Sequence, residues 1–166
     1  MAHGIVRTDL MTGADVGAFL VSVKFYSSNT PAEIDNGNVV LVGDLIEGER
    51  EVRKATAVAA NTPLDKVALI ASPEVVYEDY KRDLGDFVNP ANVPARGYRL
   101  HVGDIFSVTK DALSGVDSPA KGNIVELAAG TTLKVVASAT SGSTAVGKIF
   151  DIETKNGITY YAILVG

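Results

Sequence analysis

Two histidines, His3 and His101, are the only side chains in this sequence whose ordinary pKa makes them general bases at physiological pH. His101 stands between Leu100 and Val102 in a segment that alternates like a strand, so it reads as a surface or half-buried sheet histidine. His3 lies in a short opening segment, where a contact or structural role is expected of it. Neither belongs to a His-x-His or Glu-x-x-His pattern, and a metal ion needs several ligands at workable spacing. Carboxylates gather at Glu47, Glu49 and Glu51, and again at Glu74, Glu78, Asp79, Asp83 and Asp86. They are interleaved with Arg50, Arg53, Lys81 and Arg82 and read as solvated charge, whereas a glycosidase needs two acids facing each other across a cleft. The stretch from Asp111 to Asp117 does not follow the spacing of a calcium loop. Ser138-Ala139-Thr140-Ser141-Gly142-Ser143-Thr144 has a phosphate loop's composition without its Gly-Lys-Ser/Thr ending or the helix that must come after it, and reads as a connector. Neither a nucleophile elbow nor a dinucleotide fingerprint occurs. The sequence therefore assigns no catalytic residue, no cofactor site and no metal site.

The elements that surround these residues read as antiparallel sheet. Lys155-Asn156-Gly157 separates two strand-like runs, 148–153 and 158–165, and Asn-Gly supplies the positive φ angles of a two-residue type I′ turn. Asp35-Asn36-Gly37-Asn38 carries the same signal, with Glu33-Ile34-Asp35 expected to pair across it with Asn38-Val39-Val40-Leu41-Val42. Strands are expected near 19–25, 38–42, 51–58, 66–71, 97–102, 104–109, 123–127, 132–136, 148–153 and 158–165. The segment 51–60 has helical propensity in its Glu, Arg, Lys and Ala, but Val52, Thr56 and Val58 alternate with charged or small residues and favour a strand. Residues 74–83 read as a helical turn or a strand edge, and 110–121 as a loop. Val21, Val23, Val40, Val67, Leu69, Ile105, Val125, Val135, Ile149 and Ile163 form the expected core. Short strands with regular turn punctuation indicate an all-β fold, a single β-sandwich or small Greek-key barrel with long loops. Residues 1–18 read as an extended N-terminal arm or a first edge strand with a loop after it, and 19–166 as one β-rich domain. Val42-Gly43-Asp44-Leu45 and Val102-Gly103-Asp104-Ile105 echo each other weakly.

Composition narrows the function classes. The chain has 166 residues, 15 basic and 20 acidic side chains and a net charge of −5, which argues against non-specific nucleic-acid binding, since that needs clustered Lys and Arg. Cysteine is absent, which removes thiol chemistry and disulfides and agrees with synthesis in a reducing cytoplasm. No run approaches the roughly 20 apolar residues of a membrane span, and the opening lacks the apolar core of a signal peptide. Neither nucleic acid nor membrane is expected as a partner.

Three stretches carry a resemblance. The opening from Met1 to Gly13, the segment from Ile34 to Val40 and the segment from Pro94 to Thr109 together resemble small head proteins of tailed bacteriophages, which decorate or cement the capsid. They cover under a third of the chain, and none is diagnostic by itself. The resemblance implies a non-enzymatic virion protein made in the host cytoplasm and bound to the outside of the shell. Its partner would be the major capsid protein, with a homo-oligomer of the chain on the shell as a further contact. On that reading the segment from Ala2 to Leu10 is the expected contact, with Ile5, Val6 and Leu10 for burial and Arg7 for a directional ion pair. The competing expectation is a carbohydrate-binding or host-adhesion β-module. Such modules present Trp or Tyr to sugar rings; Trp is absent here, which leaves Tyr77, Tyr80, Tyr98 and Tyr160.

Overall fold

The run Val67-Ala68-Leu69-Ile70 is buried at every position, and this one strand accounts for the architecture. In the computed structural model, which describes residues 3–75 and 83–166, the chain forms a closed barrel and a curved open sheet, and this strand belongs to the barrel wall that lies between their two cores.

The barrel runs β2 (Leu20–Ser27), β5 (Val52–Thr56), β4 (Val39–Leu45), β6 (Val67–Ile70) and β7 (Ala95–Arg99), and β7 pairs back onto β2 to close it. The two-residue β3 (Thr30–Pro31) extends the end of β2. The β2–β5 pair is parallel and the other barrel pairings are antiparallel. The open sheet has seven strands in the order β1 (Val6–Leu10), β8 (Ile105–Val108), β13 (Ile158–Val165), β12 (Ala145–Lys155), β10 (Ile124–Glu126), β11 (Leu133–Val136) and β9 (Leu113–Gly115).

Period-two alternation divides the apolar residues between two cores. Along β4 and β6, Val40, Ala68 and Ile70 point into the barrel, where Val23, Ala55 and Ala95 complete a small filling. Val39, Val67 and Leu69 point the other way and meet Phe106, Val108, Val125, Val135, Ile149 and Ile163 of the open sheet. Strands covered on both faces read as continuous apolar runs, which is why 67–70 shows no alternation. The barrel interior tolerates little more volume: a Cβ on Gly97 would stand 3.0 Å from Val21 Cγ1 and 3.1 Å from Ala68 Cβ.

All ten expected strands are present, and the β13 hairpin turns through Asn156 and Gly157, both at positive φ. The first Asn-Gly signal has a different meaning. Only Gly37 takes a positive φ there, and Ile34 bridges to Asn89 rather than to the next strand. Asn36 is instead a buried knot: its Oδ1 accepts from the Ser72 amide at 3.0 Å and from Asn89 Nδ2 at 3.0 Å, while its Nδ2 donates to the Ser72 carbonyl at 2.9 Å. The side chain that looked like a turn former is tying three loops together.

Other expectations need correction. Val21 and Ile105 are only partly buried, because Val21 lies near a mouth of the barrel and Ile105 faces outward. His101 lies beyond the end of β7, in the turn before β8. Residues 110–121 hold one 3-10 turn and then β9, which pairs in parallel with β11 and is too short to show periodicity. The Gly-Asp echo has no structural counterpart, since Gly43 and Asp44 are strand residues of β4 while Asp104 is buried at a turn. Most of the segment 74–83 lies outside the described residues.

The first residues form an edge of the open sheet. Val6 pairs with Val108, Arg7 with Ser107 and Leu10 with Ile105. After β1 the chain makes a single turn of helix, α1 (Thr12–Asp15), anchored by Asp104. That carboxylate is only 2% exposed and accepts from the Thr12 amide at 2.8 Å, the Thr12 hydroxyl at 2.6 Å and the His101 amide at 3.0 Å.

Candidate interaction surface

Each strand that packs its inner face on the core must aim its alternate residues outward, and in a one-sided sheet those are normally polar. In the open sheet several are not. Along β13, Ile163 and Val165 enter the core, and Leu164 faces out between them. The pairing register sets Leu10, Ile105, Leu164, Lys148, Ile124 and Val136 in one line across six strands. Five of the six are apolar. Leu10 is 64% exposed, and Phe150, at the register shift between Ile149 and Asp151, is 47% exposed. Val102, in the turn before β8, is more exposed still. Ile105, Leu164, Ile124 and Val136 are half-buried on that face, and two ion pairs accompany the row, Arg7–Glu153 at 3.7 Å and Lys121–Asp151 at 3.4 Å. A largely apolar row on the face turned away from the core is a candidate interface.

The four residues expected to make contact divide between the two faces. Ile5 is buried, and its amide donates to Thr109 Oγ1 at 3.1 Å. Val6 packs against the inter-sheet core. Arg7 and Leu10 lie on the outer face, and Arg7 already contacts Asp9 at 3.5 Å and lies 5.9 Å from the Tyr160 ring centroid. On its far side β1 has no strand neighbour among the described residues, so its edge is open to strand addition. Sequence reasoning found Leu10 but missed Ile105, Leu164, Ile124 and Val136. The signal was present as alternation, yet only pairing across strands shows that these residues share one line.

Both histidines make contacts within the fold. His3 Nδ1 lies 2.7 Å from Asp35 Oδ1. The His101 ring packs on Phe19 with centroids 3.9 Å apart. Tyr98 and Tyr160 are buried and offer no platform to a sugar ring. Tyr77, Tyr80, Glu78 and Asp79 lie outside the described residues. Among the described residues no three His, Asp or Glu side chains come together as a metal site, and no helix is long and apolar enough to cross a membrane.

One buried carboxylate escaped the sequence reading. Glu126 on β10 is 1% exposed; Lys134 Nζ donates to its Oε1 at 3.3 Å and the Thr140 amide to its Oε2 at 3.0 Å. Burial alone would raise this carboxyl, but the Thr140 amide and hydroxyl and the Lys134 ammonium outweigh it and hold the pKa below its ordinary value. The Ser/Thr-rich connector therefore works as a clamp on β10 as well as a link. Comparison with protein-family models, with curated proteins and with solved structures finds no match to the chain.

Proposed function

We propose that this chain is a non-enzymatic structural protein of a tailed-bacteriophage virion, which binds the outside of the capsid through the outer face of the open sheet and reinforces the shell. The observation that carries the reading is the transverse apolar row from Leu10 to Val136, aligned by register on the sheet face turned away from the core. The resemblance of three segments to small head proteins supplies the partner, the major capsid protein. Reinforcement needs only added interface: a stable contact buries on the order of 1,200–2,000 Å² in total, and each copy bridging neighbouring subunits adds contacts that expansion of the shell must break. A rigid double-core protein suits this task, because little of its binding energy is lost to ordering the binder.

The test is co-sedimentation of the purified protein with undecorated tailed-phage shells, run beside a glycan array. Saturable binding to shells and a rise in their resistance to heat are expected. Glycan binding without shell binding would replace this reading with an adhesion module.

A further inference from the structure

At one mouth of the barrel a cleft of about 560 Å³ is lined by Arg50, Arg53, Arg96 and Arg99. Four arginines line it in a protein of net charge −5, and Glu51 is the one carboxylate among the described lining residues. Two of the four are held in place: Arg53 Nη1 donates to the Gly43 carbonyl at 3.2 Å and Arg99 Nη1 to the Asp65 carbonyl at 3.1 Å. Each of those bonds uses one of five N–H donors and leaves the remainder of the fork for an oxyanion. The register places two of the four. Arg53 pairs with Val23 and Arg99 with Ala68, both barrel-lining residues, so the two arginines continue the inward-facing rows to the rim. Arg96 pairs with Ser22 on the outward face at the rim, and Arg50 comes from the loop between β4 and β5. The rest of the wall is Ser22 together with the apolar Ala18, Leu20, Val21 and the exposed Leu45.

We propose that this cleft binds an acidic segment of a partner protein, with Asp or Glu carboxylates on the arginines and an apolar side chain against Leu45 and Leu20. The mixture of charge and hydrocarbon favours a peptide, since a phosphate or sulfated chain has no apolar group to place on that wall. The lining has no aromatic ring on which a base or sugar could stack. Glu47, Glu49 and Glu51 flank Arg50 in sequence, and they would repel a long polyanion while admitting a short one. The cleft is built on the barrel and not on the open sheet, and the proposal does not depend on the capsid reading.

The test is fluorescence anisotropy at low ionic strength with a short labelled peptide rich in Asp and Glu and carrying one central leucine, with pyrophosphate and a sulfated oligosaccharide as competitors. The wild-type protein is expected to bind the peptide, more weakly as salt rises. The double variant Arg50→Glu/Arg96→Glu, at two exposed positions, should lose at least about tenfold in affinity with an unchanged melting temperature. Replacing the peptide's leucine with serine should weaken binding as well. No binding by the wild type, equal binding by the double variant, or capture of pyrophosphate or the oligosaccharide in preference to the peptide would each overturn the proposal. Shell binding that survives in the double variant leaves the outer-face reading untouched, so the two claims fail separately.

Discussion

The barrel and the open sheet are built from the same short strands, yet they treat their edges and faces in opposite ways. The barrel closes β7 onto β2 and fills its interior with Val, Ala and Ile; closure removes the edges that would otherwise template another strand. The open sheet keeps two edges, β1 and β9, and leaves an apolar row on its outer face. The barrel closes its strand edges within the chain, and the open sheet keeps its edges and carries an apolar row across its outer face. Their shared wall, β4 and β6, is where the two designs meet.

Substitutions in that wall should have the largest effect, since both cores feel them. Leu69→Ala is expected to destabilise the protein by about 2–5 kcal/mol, because the residue is fully buried and the inter-sheet core cannot collapse around the gap. Urea denaturation measures this directly, and a loss under about 1 kcal/mol would mean the two layers pack loosely. Asp104→Ala should come next at roughly 2–3 kcal/mol, because it strands the Thr12 and His101 donors and frees α1 from the turn before β8. Gly97→Val tests the barrel alone. Overpacking against Val21 and Ala68 should cost about 1–3 kcal/mol while the open sheet keeps its hydrogen-exchange protection.

Glu126 sharpens the comparison through pH. Its carboxyl titrates lower in the folded chain than in the unfolded one, so its contribution is complete above the unfolded value. That contribution is lost as pH falls from about 4.5 through the lower folded value. Glu126→Gln should therefore be less stable at neutral pH and show a flatter acid limb below about pH 4.5 in melting temperature against pH. An acid limb as steep as that of the wild type would remove Glu126 from the account.

Legibility from the residues divides along the same line. The strands were readable because alternation and Asn-Gly punctuation are local, and Lys155-Asn156-Gly157 turned as its residue types require. Asn36-Gly37 shows the limit: the same dipeptide ties loops together because Ser72 and Asn89, distant in sequence, arrive to bond it. Glu126 looked like any strand glutamate until Thr140 folded over it. The outer row was invisible for the same reason, since Leu10 and Leu164 stand at opposite ends of the chain and only β8 brings them into line. The arginine cleft joins a loop and two strands of a closed barrel, and no linear pattern announces it.

The largest change in binding should come from the outer face. Leu10→Asp with Leu164→Asp alters that face without entering either core; Leu10 is 64% exposed and Leu164 half-buried, so stability should fall by roughly 0.5–3 kcal/mol. The most direct test of the central claim is the occupancy of undecorated tailed-phage shells by this double variant, beside a control, Val93→Asp, on the barrel side at a residue 50% exposed. The outer-face variant should lose at least about tenfold in shell affinity while the control binds like the wild type. Equal occupancy by all three proteins would contradict it.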